Sequence, residues 1–203
     1  MMHKIIALAN QKGGVGKTTT TINLGAALTF QGCKVLLVDM DPQGNTTSGV
    51  GVSLESHQPS VYEVLIGAVE PREAVIHSVT GGMDIMPARI DLTAAEVELV
   101  PVENREMLLK AQLSQIKEDY DFILIDCPPS LGLLTINSLT AADSVIIPLQ
   151  CEYYAMEGLS QLMNTIRLIR EGLNKDLILE GIVLTMYDQR NNLSREVLRQ
   201  ITE

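Results

Sequence analysis

Three stretches carry residues whose types and spacing could do chemistry together. The first, Gln11-Lys12-Gly13-Gly14-Val15-Gly16-Lys17-Thr18-Thr19, follows the apolar run Ile5 to Ala9 and precedes a segment that reads as a helix. Glycines let a backbone wrap closely around a polyphosphate with its N–H groups turned inward, a lysine such as Lys17 adds a mobile charge, and a hydroxyl such as that of Thr18 can ligate magnesium. The stretch therefore reads as a nucleotide-binding P-loop. Aligned on Gly16-Lys17-Thr18, the ordinary pattern wants glycine where this chain has Gln11, and it makes no demand for Lys12. Two lysines thus flank one glycine loop. Lys12 is either a solvated loop charge, a second cation folded onto its own nucleotide, or one that reaches across to a partner's.

The second stretch is the short apolar run Lys34 to Val38, which delivers Asp39 and Asp41 to its C-terminal end. Residues two apart in extended chain face the same way, so both carboxylates are expected to look into one site. The third is Phe122-Ile123-Leu124-Ile125-Asp126, four apolar residues ending in an acid. This has the form of a Walker B element, whose carboxylate holds magnesium directly or through water while the ion offsets the cost of burying it. Read alone, Asp126 could equally be a surface acid at a strand end.

Elements must position these residues at one edge. The pattern predicts a strand over Ile5 to Asn10, a helix from Thr18 to Gln31 ended by Gly32, and a strand over Lys34 to Val38. The polar run from Pro42 to Gly49 reads as a loop that could reorder around a γ-phosphate. Short helices are expected over Val61 to Ile66, Pro71 to Ile76 and Leu92 to Leu99, and a longer one over Asn104 to Lys117 with Met107, Leu108, Ala111, Leu113 and Ile116 in the core. Strands are expected at Met83 to Met86, Ser144 to Leu149 and Leu177 to Met186. Helices should follow at Leu131 to Thr140, at Ala155 to Glu171 with Met163 in its core stripe, and from Ser194. Alternating strands and helices spell an α/β fold with a doubly wound, mostly parallel sheet, which places ligands at the carboxyl edge of its strands.

Composition agrees with that class. A chain of 203 residues that is 46% hydrophobic can bury one sizeable core, and with no Trp and two Phe that core must be aliphatic, as a sheet covered on both faces requires. No secretory signal or membrane-spanning run is visible, so a cytoplasmic location is expected. Cys33, Cys127 and Cys151 are odd in number and lack a C-x-x-C pair, which argues against a disulfide framework or a zinc site. The formal net charge of -10 repels polyanions on average, so any nucleic-acid contact needs a local basic patch.

Taken with Val38-Asp39-Met40-Asp41-Pro42-Gln43-Gly44-Asn45, Asp126-Cys127-Pro128-Pro129-Ser130, Glu152-Tyr153-Tyr154-Ala155 and Thr185-Met186-Tyr187-Asp188, the glycine loop resembles that of the ParA/Soj family, the partitioning ATPases with a deviant Walker A motif. The resemblance runs from near residue 4 to the end, and family members continue beyond it. It implies a single P-loop ATPase domain over residues 1–203 that lacks the family's C-terminal segment. It also implies ATP and Mg2+ as cofactors, a homodimer that sandwiches two nucleotides, non-specific binding of double-stranded DNA, and a ParB-like partner that accelerates hydrolysis on the nucleoid. By that resemblance Lys12 reaches the partner subunit's phosphates; Gly13, Gly14, Val15, Gly16 and Lys17 form the phosphate cradle. Thr18 ligates magnesium, Thr19 lies near the α-phosphate, Asp41 positions the attacking water, Asp39 lies beside the magnesium shell and Asp126 is the Walker B acid. Arg190 falls where the family places a basic residue for DNA contact. Three other readings share parts of the pattern: a MinD-like membrane-positioning ATPase, a nitrogenase-reductase-like iron-sulfur protein, and a nucleotide-binding module without turnover.

Overall fold

Short aliphatic runs dictate the architecture. In the computed structural model, which describes residues 3–202, the strands are Lys4–Leu8 (β1), Val35–Asp39 (β2), Asp84–Met86 (β3), Phe122–Asp126 (β4), Ser144–Gln150 (β5) and Ile178–Thr185 (β6). They form one sheet in the order β3-β2-β4-β1-β5-β6, and every neighbouring pair is parallel. Parallel neighbours need crossovers. The helices α1 (Lys17–Phe30), α2 (Asn45–Gly49), α3 (Val61–Leu65), α4 (Leu92–Glu98), α5 (Leu108–Leu113), α6 (Leu133–Ala141), α7 (Ala155–Gly172) and α8 (Asn192–Thr202) lie between or after the strands.

Over β1, β2, β4 and β5 both faces of the sheet are buried, because alternate side chains of each strand enter different clusters. Ile5 and Ala7 of β1 join the larger core with Val64 of α3, Leu113 of α5, Leu134 of α6 and Leu162 of α7. Ile6 and Leu8 join the smaller one, against which Ile22, Leu24, Ala26 and Leu28 of α1 pack. The helix α1 approaches the sheet so closely at Gly25 that a Cβ there would lie 2.6 Å from Met83 Sδ and 2.9 Å from Leu37 Cδ2. It ends as its sequence predicts: Gly32 takes a φ of 88°, and Cys33 N donates back to Leu28 O at 3.1 Å. The parallel register aligns Leu8, Asp126 and Asp39 in one row across β1, β4 and β2.

Four expectations are corrected. The polar run after Asp41 is not all loop, since Asn45–Gly49 is a helical turn entered through Gly44 at a φ of 62°. The single helix expected over residues 104–117 is broken into 3-10 turns at Arg105–Met107 and Lys117–Asp119 around α5. The Asn137 side chain accounts for the first break: its Nδ2 donates to Arg105 O at 2.9 Å and its Oδ1 accepts from Leu109 N at 3.1 Å. Leu109, Leu113 and Ile116 are the buried residues there, whereas Ala111 is exposed. Met163 is 38% exposed, one position round the helix from the buried stripe Ala155, Leu159, Leu162, Ile166 and Ile169. The helix expected over residues 71–76 is a 3-10 turn, Pro71–Ala74.

Candidate nucleotide site

The loop between β1 and α1 is fixed before any ligand contact is considered. Asn10 anchors its start, donating from Nδ2 to Pro148 O at 2.8 Å and accepting at Oδ1 from Lys12 N at 3.0 Å. Val15 O accepts from Thr185 Oγ1 at 2.8 Å, so the end of β6 closes over the loop. Gly14 and Gly16 take φ values of 75° and 86°, conformations that L side chains rarely adopt, and Gly16 leads directly into the N-terminus of α1. This is the geometry in which consecutive N–H groups face an anion.

Lys17 lies inside the loop, buried, with Nζ donating to Lys12 O at 3.0 Å. Burial lowers its pKa, against the opposing pull of Asp126 and Asp41. Thr18 Oγ1 donates to Asp126 Oδ2 at 2.7 Å, and the buried Asp126 carboxylate also accepts from Thr46 Oγ1 at 2.6 Å and Thr21 Oγ1 at 3.4 Å. Burial raises the Asp126 pKa, while the Thr46 and Thr18 hydroxyls and Lys17 pull it down.

Asp39 and Asp41 part company. Asp41 lines a cleft of about 510 Å³ together with Gly13, Gly14, Lys17, Thr18, Thr19 and Gln43. Its Oδ1 accepts from Gln43 N at 2.9 Å, and among the described residues its Oδ2 accepts no hydrogen bond. Asp39 is fully buried away from that cleft: Oδ2 accepts from Thr47 N and Oγ1 at 2.8 and 2.7 Å, and Oδ1 accepts from Asp41 N at 3.1 Å. Burial pushes its pKa up to about 7, ahead of the lowering by the Thr47 bonds. The expectation that both carboxylates look into one site is thus corrected, because the hydroxyl and amide of Thr47 capture the first acid beneath the second. Of the three residues named for a metal, the structure brings Thr18 and Asp126 into contact. Among the described residues no group of three His, Cys, Asp or Glu could hold a metal by itself. A Thr and a carboxylate beside a phosphate cradle suit Mg2+, which keeps waters and phosphate oxygens as its other ligands.

Lys12 stands on the rim with Nζ 2.5 Å from Glu152 Oε1. Arg190 lies outside the cleft, its side chain 87% exposed and paired with Asp188 at 2.8 Å. Thr46 and Thr47 carry more of the site than their polar, loop-like context suggests. The available signal was their position five and six residues after Asp41. Pro129 and Met186, the latter at a φ of 52°, complete the cleft wall. The Cys127 thiol is buried, which pushes its pKa up to about 12 and leaves it inert.

A family model described as an AAA domain matches residues 3–179. The sporulation initiation inhibitor protein Soj of Bacillus subtilis is 55% identical over 200 residues, which cover 98% of this chain and 79% of the relative. The chain belongs to the ParA/Soj family. The chromosome partitioning protein ParA of Myxococcus xanthus, 53% identical over 198 residues, covers 98% of this chain, which spans 70% of that relative. Among solved structures, a cobyrinic acid a,c-diamide synthase from Mycobacterium smegmatis with bound ADP and magnesium superposes with a TM-score of 0.94 at 48% identity, covering 100% of this chain and 82% of that one. The doubly wound P-loop fold of the ParA/Soj family is therefore the fold found here. No helix among the described residues is long and apolar enough to cross a membrane.

Proposed function

We propose that this chain is a ParA-like ATPase of chromosome or plasmid partitioning, which binds ATP with Mg2+, closes into a homodimer, holds DNA while closed and releases it on hydrolysis. The observation that carries the reading is the cleft wall itself. One continuous surface presents the left-handed glycines, Lys17, the Thr18 hydroxyl backed by Asp126, and an Asp41 carboxylate with one oxygen free of hydrogen bonds.

In this reading the loop N–H groups and Lys17 bind the phosphates, and Thr18 with Asp126 holds the ion. Held there, Mg2+ would supply neutralisation of phosphate charge. Lys17 already sits in the loop and needs only to turn from Lys12 O to an incoming phosphate oxygen. The free Asp41 oxygen orients the attacking water, and the ring of bonds behind it keeps the carboxylate fixed. Lys12 lies on the rim rather than over its own cleft, which favours action on a second subunit's nucleotide, as an arginine finger acts. A ParB-like protein and DNA are the expected stimulators. Arg190 contributes to DNA contact once its bond to Asp188 is exchanged for a phosphate.

The test is single-turnover and steady-state ATPase with and without DNA. Asp41→Ala is expected to retain ATP and to lower turnover by roughly 10²-fold or more; hydrolysis at the parental rate would sink the assignment. Equimolar mixing of Lys12→Ala with Asp41→Ala subunits restores part of the activity if Lys12 acts in trans, and none if it acts in cis. DNA retention should fall steeply with salt if phosphate contacts dominate.

A further inference from the structure

At the amino edge of the sheet, opposite the nucleotide cleft, the starts of β2 and β3 and the chain just before β4 border a pocket of about 400 Å³. Its floor is apolar: Val35, Ile116 and Tyr120 are buried, and Val75 packs against the core beside them. His77, Gly82 and Asp84 line one wall, and the loop that carries them is fixed. Ile76 and Ile85 exchange backbone bonds at 2.8 and 2.9 Å, and Val79 N donates to Met83 O at 2.8 Å. Ser78 is held in the left-handed region at a φ of 55°, where Asp84 Oδ1 accepts from its N–H at 3.0 Å. Residues other than glycine seldom adopt that conformation, and those that do gather at ligand sites. The pocket shares no residue with the nucleotide cleft, and its volume is that of a small-molecule site.

Above the floor the acids are engaged, whereas the cations keep free donors. Asp84 Oδ2 accepts from the Tyr120 hydroxyl at 2.9 Å and from His77 Nδ1 at 2.7 Å, while Oδ1 holds Ser78. Burial and the bond to Asp84 raise the Tyr120 pKa, so its hydroxyl stays a donor. Asp119 Oδ2 accepts from Arg72 Nε and Nη2 at 3.0 and 2.7 Å, and Nη2 also donates to Gln115 O at 2.9 Å. Arg72 Nη1, with its two N–H groups, and Lys34 Nζ donate to nothing among the described residues. With His77 neutral, Lys34 and Arg72 balance Asp84 and Asp119, so the lining carries no net formal charge. One negative charge on a ligand therefore meets two cations with donors to spare, and a second would face the two acids without compensation.

We propose that this pocket binds a small organic monoanion, a carboxylate on a flat apolar body. Lys34 Nζ and Arg72 Nη1 hold the carboxylate, and the body lies on Val35, Val75, Ile116 and the Tyr120 ring. Bonds from a guanidinium and an ammonium to one carboxylate are charge-assisted, and they fix its direction as well as its sign. An inorganic anion would leave the apolar floor uncovered and gain nothing from it. A cation would meet acids whose oxygens already accept from Tyr120, His77, Ser78 and Arg72.

The test titrates the isotope-labelled full chain with benzoate and follows backbone amide shifts by NMR. Benzamide, benzylamine and phenyl phosphate supply the neutral, cationic and dianionic counterparts of the same ring. Benzoate is expected to move the amides of Lys34, Val35, His77, Asp84 and Tyr120 together and to saturation. Benzamide should bind at least tenfold more weakly, benzylamine should not bind, and phenyl phosphate should bind at these amides no more tightly than benzoate. Lys34→Ala should weaken benzoate at least fivefold and Lys34→Glu should abolish its binding. Both should leave the melting temperature unchanged, because that side chain has no partner among the described residues to lose. Lys175→Ala, at an exposed lysine outside the pocket, should change nothing. Absence of saturable benzoate binding, equal binding of benzamide, unweakened Lys34 variants, or shifts confined to residues 13–19 would overturn the proposal. Tighter binding of phenyl phosphate at the same amides would overturn the choice of a monoanion.

Discussion

Replacing Thr47 by Val tests whether α2 is held by the acids of the site. The two side chains have nearly the same shape, so the change removes chemistry with little change in packing. Thr47 Oγ1 donates to the fully buried Asp39 carboxylate at 2.7 Å and accepts from the buried Ala88 N–H at 3.0 Å. Losing a hydrogen bond to a charged group costs about 1.5–3 kcal/mol, and stranding a buried N–H costs about 1–3 kcal/mol more. The expected loss is therefore about 2.5–6 kcal/mol, a large share of the ~5–15 kcal/mol that holds a domain together. Urea unfolding followed by circular dichroism reads it as a midpoint lowered by about 1–2.4 M for a slope near 2.5 kcal/mol/M. Thr47→Ser keeps the hydroxyl and gives up one methyl, so it should lose only about 1 kcal/mol. Pairing Thr47→Val with Asp39→Asn should lose less than the sum of the single changes, because both act on one bond. A loss for Thr47→Val below about 1 kcal/mol with unchanged slope, or equal losses for Val and Ser, would refute the reasoning that ties the costs to these two bonds.

The remaining predictions concern packing, pH and ligand. Gly25→Ala brings a Cβ to 2.6 Å from Met83 Sδ, so strain of about 1–3 kcal/mol outweighs a helix gain of about 0.5–1 kcal/mol; calorimetry should show a melting temperature lowered by several degrees, and a raised one would contradict the close approach. Burial works against the charged form of Glu63, but the bonds from Ser60 and the nearby Arg89 outweigh it and lower its pKa below the ordinary 4.5. A depressed acid contributes stability above its unfolded pKa and loses it as pH falls through the folded value. Glu63→Gln should therefore cost about 1 kcal/mol at pH 7 and flatten the decline in stability below about pH 4.5 in urea titrations at stepped pH. Saturating ATP with Mg2+ at a hundredfold excess over Kd should stabilise the parental chain by about 2.7 kcal/mol and leave Lys17→Ala unmoved, as read from thermal shift.

What was legible in the sequence is what local pattern controls. Aliphatic runs ending in acids gave β2 and β4, and Gly32 gave the end of α1, because burial on both faces and a left-handed cap leave direct marks on residue type. The glycine loop, Asp41 and Asp126 could be picked out as a group, and the structure gathers them at one edge. The failures share a different cause, a partner far away in sequence. Thr46 and Thr47 looked like loop residues because the acids that take their hydroxyls come from separate strands, one of them 80 residues on. The break before α5 is made by Asn137, from another helix. Asp39 was expected to face the ligand because alternation along a strand says nothing of a threonine waiting behind it.

The row that sets Asp39 beside Asp126 across β2 and β4 has a consequence of its own. Two carboxylates 87 positions apart in the chain become lateral neighbours, at the roughly 4.8 Å spacing of adjacent strands. Both are buried, and each resists ionisation chiefly because of that burial. Like charges placed opposite one another in a sheet repel, and water is not there to screen them. Lys17, the nearby cation, is itself made reluctant to carry charge by its burial. Burial thus favours a proton on each acid, and the hydroxyls of Thr47, Thr46 and Thr18 oppose it.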